Sequence, residues 1–212
     1  MLGKEKFYRN GKKYFFFLIF FFIIHETNAS QKDNVINKLL STNSLVFDFN
    51  QKIDGNINEG SCQLLYPKKI FCEYNDKYRK IIVSNGKELI VKNKSINQIY
   101  KYDLEKTPFK IILDKNFLLE KIKFSQIIDL ENNKTTFYIK ENNLDFKIFF
   151  DSNNYNILGW ETIDVYQNTV QFEIFNLKLN TAISKKNLIL INNQAIFFSK
   201  TSFKYIFIPR AK

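Results

Sequence analysis

The sequence predicts a mainly β fold of the α+β class, an antiparallel meander with a few short helices, and three observations carry that prediction. Short runs of β-branched and aromatic residues follow one another at hairpin distance, not in alternation with long helical patterns. Turn signals punctuate the runs: Asp54-Gly55, Pro67 and Asn85-Gly86. Helical spacing of apolar residues is confined to a stretch before the first run and another after Thr107-Pro108.

Taken in order, Val35, Ile36, Leu39 and Leu40 recur at helical spacing with Asn37 and Lys38 opposite, which predicts a helix over Asp33 to Ser41. Val46 to Ile53 then alternates, with Phe47 and Phe49 on one face and Asp48 and Asn50 on the other. The hairpin from Gly60 to Tyr74 is the centre of the chain. Pro67 has a fixed φ and no N–H for a ladder, so it belongs in the turn. Alternation then puts Cys62, Leu64, Ile70, Cys72 and Tyr74 on one face, facing inward, and Ser61, Gln63 and Glu73 on the other. Strands over Lys80 to Ser84 and Glu88 to Lys92 follow, joined by Asn85-Gly86, a dipeptide suited to a type I′ turn, and another over Asn97 to Tyr102.

At Thr107-Pro108 the pattern breaks. Threonine as N-cap and proline at the first helical position predict a helix on which Phe109, Ile112 and Leu113 share a face, and a second turn from Lys115 to Leu119 adds Phe117 and Leu118. Five more strands are predicted over Lys123 to Asp129, Thr135 to Lys140, Leu144 to Phe150, Ile157 to Tyr166 and Val170 to Leu179. Asn187 to Ile191 is a candidate closing strand, and Ala195 to Lys212 is Phe-rich and basic without periodicity. With no repeat and no linker the chain reads as one domain.

With 212 residues, 45% of them hydrophobic and 23 of them Phe, the chain can bury a single core. Its formal net charge is +11, of which five basic residues between Lys4 and Lys13 against Glu5 and Glu26 contribute +3, leaving +8. The remaining lysines are scattered, often beside asparagines, so the surplus reads as a solubilising surface, and no nucleic-acid partner is expected. Catalysis is not expected either. The only histidine is His25, two cysteines are too few for a structural zinc site, Asp145 and Asp151 carry no acid/base context, and 6 glycines form no phosphate loop. No metal and no cofactor are expected.

Cys62 and Cys72 stand almost symmetrically about Pro67, so in a hairpin they are cross-strand neighbours, and in a secreted chain that implies a disulfide. Two buried free thiols are the alternative. Lys4 to Lys13 is a basic opening, Tyr14 to Ile24 an unbroken apolar run, and Thr27-Asn28-Ala29 a small-residue site before Ser30, the three parts of a secretory signal. The run is short for a membrane span, and an uncleaved signal anchor is the alternative reading. No cysteine follows the site, so no lipoprotein acylation point is expected. For Trp160 and the other aromatics the residues leave two readings open: a filled core, or a sheet curled round an apolar cavity with the helices as its cover.

Tyr66-Pro67-Lys68-Lys69-Ile70-Phe71-Cys72-Glu73-Tyr74, followed by Val83-Ser84-Asn85-Gly86-Lys87 and Asn97-Gln98, resembles the core signature of the LolA family, periplasmic carriers of outer-membrane lipoproteins. Phe49-x-Gln51 and Glu59-Gly60 upstream fit it, and Thr107-Pro108-Phe109 with Leu113 resembles its lid segment. The resemblance implies an unclosed antiparallel β-barrel (half-barrel) covered by a lid of short α-helices, with acyl chains held between. Residues 1–29 would then be a cleaved signal, 30–192 the carrier domain, and 193–212 a tail of unassigned role. It implies a monomeric periplasmic carrier that takes acylated lipoproteins from an inner-membrane ABC-type exporter to an outer-membrane acceptor. A lipid- or lipoprotein-sensing envelope module of the same fold is the second reading, and an anchored protein with a filled barrel a third. By this likeness and the strand alternation, Leu39, Leu64, Ile70, Tyr74, Leu89, Val91, Phe109, Ile112, Leu113 and Phe117 are the expected acyl-chain contacts. The family has a lid-latching arginine before the signature proline. Tyr66 stands there and, with one donor in place of five, implies a weaker latch or one located elsewhere.

N-terminal sequencing of the exported protein checks the signal: the expected mature chain starts near Ser30, and a chain still beginning at Met1 and sedimenting with membranes refutes it.

Overall fold

The computed structural model describes residues 27–129, 133–141, 144–164 and 166–183. The expected signal up to residue 26, the candidate closing strand Asn187 to Ile191 and the tail lie outside them. Helix α1 (Thr27–Ser41) leads into six strands: β1 (Ser44–Ile53), β2 (Asn56–Leu65), β3 (Lys69–Tyr74), β4 (Lys80–Asn85), β5 (Glu88–Asn93) and β6 (Gln98–Asp103). A 3-10 turn (Leu104–Lys106) and helices α2 (Phe109–Leu113) and α3 (Lys115–Phe124) come next. The chain continues through β7 (Gln126–Asp129), β8 (Lys134–Glu141), β9 (Leu144–Asp151), β10 (Ile157–Ile163) and β11 (Thr169–Leu179).

All eleven strands form one antiparallel sheet in the order β6-β5-β4-β3-β2-β1-β11-β10-β9-β8-β7. Two meanders, β1 to β6 and β7 to β11, are therefore joined by the β1–β11 ladder. The sheet does not close: β6 and β7 are its two edges. The segment from Leu104 to Ser125 links those edges, so α2 and α3 lie across the opening. Among the described residues no helix is long and apolar enough to cross a membrane.

Alternation selects the concave face. Phe47 and Phe49 of β1, Cys62 and Leu64 of β2, and Ile70, Cys72 and Tyr74 of β3 all point inward, and the same cluster takes in Phe137, Phe146, Phe150 and Phe172 from the other meander. Ser61 and Glu73 are exposed and Gln63 half-buried on the outer face, as the pleat requires. That face also carries a small second cluster of Phe71, Ile81 and Val83. The cysteines are opposed in the β2–β3 ladder and are bonded, with Cα atoms 4.1 Å apart.

An aromatic row crosses the ladder that joins the two meanders. Trp160 stacks on Phe172 at 4.1 Å, Phe172 on Phe49 at 4.6 Å, and Phe49 meets Tyr74 edge-on at 4.8 Å. Each such pair contributes about 0.5–1.5 kcal/mol beyond area burial. Two glycines make the row possible. A Cβ on Gly60, opposite Phe49, would stand 2.6 Å from the Phe49 ring and 2.2 Å from the Glu73 carbonyl oxygen. At Gly159, with φ +145°, it would stand 1.9 Å from the Phe172 carbonyl oxygen. The ladder slips between Ile157 and Gly159, which turns both Ile157 and Trp160 inward although they are three apart.

Some boundaries differ from the sequence expectation. Helix α1 begins at Thr27, not Asp33, because the turns before Val35 are polar and leave no apolar mark. Helix α3 runs on to Phe124, and Leu118 and Ile122 are its buried stripe. The type I′ turn, with positive φ at both central residues, is Asp54-Gly55. At the next Gly turn the loop residues are Gly86-Lys87, with positive φ at Gly86 alone, while the Asn85 side chain accepts the Lys87 and Glu88 N–H groups. Thr107 does not cap α2 with its side chain; its hydroxyl donates to the Leu104 carbonyl and closes the 3-10 turn.

Gly60→Ala tests the aromatic row. Forcing Phe49 aside is expected to lower stability by about 2–3 kcal/mol, read from urea unfolding, whereas an unchanged midpoint would mean that the row is not tightly held.

A lidded apolar interior

Every expected acyl-contact residue lies in one place. Leu39 from α1, Leu64 from β2, Ile70 and Tyr74 from β3, Leu89 and Val91 from β5, and Ile112 and Leu113 from α2 are buried members of a single cluster between the concave face and the helices, with Phe109 and Phe117 packed against it. Sheet and cover are in contact. A cavity of about 10 Å³ by Leu39, Leu45, Tyr155 and Ile157 is room for no more than a water. The hydroxyl of Tyr102, half-buried on β6, has no hydrogen-bond partner although its oxygen is shielded from solvent. Burial holds its pKa above the usual phenol range.

Sequence reasoning missed the polar groups that hold the cover down. Lys68, in the turn after the cis Tyr66-Pro67 bond, has φ +62°. Its N–H donates to the Leu113 carbonyl of α2 at 2.8 Å, and its own carbonyl accepts the hydroxyl of the buried Ser84 at 2.7 Å. Its ammonium pairs with Glu105 at 2.8 Å and Asp114 at 3.0 Å. Lys110 of α2 takes the other Glu105 oxygen at 3.0 Å. Asp114 serves two roles, because its second oxygen caps α3 by accepting the Phe117 N–H. Lys68 is thus one fastener for the 3-10 turn, α2 and α3 together.

Tyr66, the residue expected at the latch, does not make these contacts. Its ring packs against the apolar cluster and lies 5.6 Å below the Lys115 ammonium. Burial pushes its hydroxyl above the ordinary phenol range. Two more lysines fasten the helices to one another. Lys115, which opens α3, donates to the Leu40 and Thr42 carbonyls where α1 ends, at 2.9 and 2.8 Å. Lys32, near the start of α1, donates to the Lys123 and Ser125 carbonyls where α3 ends, at 3.3 and 2.8 Å. The two helices therefore run antiparallel, each with its exposed C-terminal carbonyls met by a cation from the other.

The inward arrangement at the far end of β4 differs in kind. Lys80 lies 3.6 Å over the Tyr74 ring, and burial pushes its ammonium down to about 8 despite the nearby Asp76. The chemistry available is that of a closed apolar compartment with charged fasteners at its edge.

The Lys68 fastener is open to test. Lys68→Met keeps the backbone bond to Leu113 and removes the ion pairs, so a loss of about 1 kcal/mol is expected, with faster amide exchange in residues 104–124 and little change in the sheet. Hydrogen bonds from Lys68 and then Lys110 hold the Glu105 carboxyl below its ordinary range. Hydrogen bonds to Glu105 and then Asp114 hold Lys68 above the usual lysine range. A lowered carboxyl pKa contributes above its unfolded value and is lost as pH falls through the folded one; a raised lysine contributes below its unfolded value and is lost as pH rises past the folded one. Protection of the cover's amides relative to the intrinsic exchange rate at each pH should therefore be greatest near neutrality and fall in acid, and a protection factor that stays flat from neutral to acid would remove the fastener's role.

Over residues 40–188 the chain matches the family described as outer membrane lipoprotein carrier protein LolA. No curated protein is similar to it in sequence. Among solved structures it is similar to a LolA superfamily protein from Nitrosomonas europaea, at 9% identity and a TM-score of 0.43 over 76% of this chain and 96% of that one. A putative outer membrane lipoprotein-sorting protein domain from Vibrio parahaemolyticus is similar at 9% identity and a TM-score of 0.43, over 79% and 99% of the two chains. The Pseudomonas aeruginosa MucA/MucB complex is similar at 11% identity and a TM-score of 0.47, over 75% of this chain and 60% of the one matched. With the family matched across most of its length, the chain belongs to the LolA family.

Proposed function

We propose that this protein carries lipoproteins across the periplasm, enclosing their acyl chains between the concave face and the helical cover. It would receive them from an inner-membrane ABC-type exporter and yield them to an outer-membrane acceptor. Membership of the family supports this, and so does the basic and apolar opening of the sequence. The observation that carries the reading is the construction of the cover: an unclosed sheet with an apolar inner face, roofed by two short helices that hang between its edges and are fastened by charged groups at Lys68.

Burying a methylene is worth roughly 0.8 kcal/mol, so an acyl chain of about sixteen carbons costs on the order of 12 kcal/mol to hold in water. Only an enclosed apolar space offsets that. Side chains such as Ile70, Leu113 and Phe117, which face one another when the cover is down, would face the ligand when it lifts. The fasteners are polar and few, so lifting is cheap relative to what the chain gains. Such a role is one of binding and handover, with no bond made or broken.

Native mass spectrometry of the gently extracted protein is the direct test: bound lipoprotein supports the carrier, and free lipid alone favours a sensing module. Ile70→Glu separates a liftable cover from a fixed core layer. Ile70 is 1% exposed. Beneath a cover that lifts, the carboxylate can draw in water, so the variant is expected to unfold cooperatively as before while losing a fluorescent acyl probe. A fixed layer would instead bury an unpaired charge and unfold outright. That outcome, or a folded variant that binds the probe unchanged, counts against the proposal.

A further inference from the structure

Antiparallel register sorts the chain reversals into two ends. At the end that holds Lys68, two other hairpin turns expose polar residues, Lys87 on one and Asn153 and Asn154 on the other. At the opposite end lie the turns at Asp54-Gly55, Lys94 to Asn97 and Asp164 to Asn168. The loop from Asn75 to Arg79 is there too, as is the C-terminal end of α3, where Lys121 pairs with Glu141, the last residue of β8. This rim exposes large apolar side chains at four separate places: Ile57 at 62%, Ile96 at 53%, Phe124 at 78% and Tyr166 at 63%. Single exposed apolar residues are ordinary, and Leu40, Ile128 and Phe175 are exposed elsewhere; here a strand start, a helix end and two turns bring four to one end.

The turns that present them are held. Ser95 donates its N–H to the Tyr78 carbonyl and its hydroxyl to the Lys77 carbonyl, which ties the Ile96 turn to the neighbouring loop. The Asp164 carboxylate accepts the Tyr166 and Asn168 N–H groups beneath the Tyr166 tip. Exposed cations flank the four residues: Lys52, Arg79, Lys94, Lys123 and Lys140. Of the acidic groups nearby, Glu141 is taken up by Lys121, Glu73 by Lys94, and Asp76 and Asp164 by turn N–H groups, while Asp54 and Glu59 are exposed near Ile57, so the cations outnumber the exposed carboxylates without being alone. The chain also enters here, because the Lys32 bonds to Lys123 and Ser125 put the start of α1 beside the end of α3.

We propose that this rim docks on an anionic phospholipid surface, with Ile57, Ile96, Phe124 and Tyr166 entering the boundary between headgroups and acyl chains and the flanking cations lying at the phosphates. The docking needs neither an open cover nor a bound acyl chain, so it stands or falls apart from the carrier reading.

Tryptophan placed at single sites in the full chain tests it, as I96W and Y166W on the rim and L40W at the exposed position on the far end, mixed with phosphatidylglycerol vesicles whose acyl chains carry bromine. Trp160, 7% exposed on the concave face, supplies a background measured in the parent protein. Emission at the two rim sites is expected to be quenched, while L40W and the parent stay bright. Absence of quenching at the rim, or equal quenching at L40W, overturns the proposal. Combining K52E, R79E and K140E with I96W is expected to lower its vesicle partition constant by about a hundredfold. An unchanged constant would overturn the anionic preference.

Discussion

The β1–β11 ladder is the constraint on which the rest of the structure hangs. Other ladders join strands that are neighbours in sequence, and each could form as a local hairpin; this one brings Leu45 to Leu179 and Ile53 to Val170. It fuses two meanders into one sheet and sets their concave faces in register. The aromatic row crosses at that seam, from Trp160 through Phe172 and Phe49 to Tyr74, and it can do so only because Gly60 and Gly159 present no side chain to block it. Because the seam occupies the middle, β6 and β7 are left as free edges. A connection must then travel from one edge to the other across the open side.

That connection is the cover, and its physics follows from its length. Helices of five and ten residues have little stability of their own. What keeps them folded is burial of Ile111, Ile112, Leu113, Leu118 and Ile122 against the sheet, together with charged contacts at their ends. Lys68 fastens one end, and Lys32 and Lys115 bind α1 and α3 to each other's terminal carbonyls. The apolar contribution is large but non-directional, so a ligand of similar character can replace it. The polar contribution is small and geometric, and it sets where the cover closes.

Much of this was legible along the chain because a strand writes its own pattern. Phe47 and Phe49, Cys62 and Leu64, Ile70 and Cys72 alternate whatever they later meet, and Pro67 can stand only in a turn, so the central hairpin, its inward face and its disulfide follow from local geometry. The apolar face of the cover was readable for the same reason, from the spacing of Phe109, Ile112 and Leu113. Ile111 was not, because a helix enclosed on several sides keeps no polar face at that position. Asp114 as the cap of α3 is written in the chain as an acidic residue three before Phe117, a weaker local signal than the neighbouring Thr107-Pro108.

The sequence by itself determined the class of fold, the strands, the hairpin turn at Pro67 and which residues would share an apolar face. Tertiary structure alone decided which meander edge meets which, that Lys68 pairs with Glu105 and Asp114 of the cover while Tyr66 packs into the apolar cluster, and that Ile57, Ile96, Phe124 and Tyr166 lie toward one rim. The reason is physical. Periodicity and turn chemistry act between near neighbours and are visible in any short window, whereas Lys68 meets Glu105 and Asp114 only after the whole first meander has folded back on itself. A lysine carries no mark in its neighbourhood that names so distant a partner.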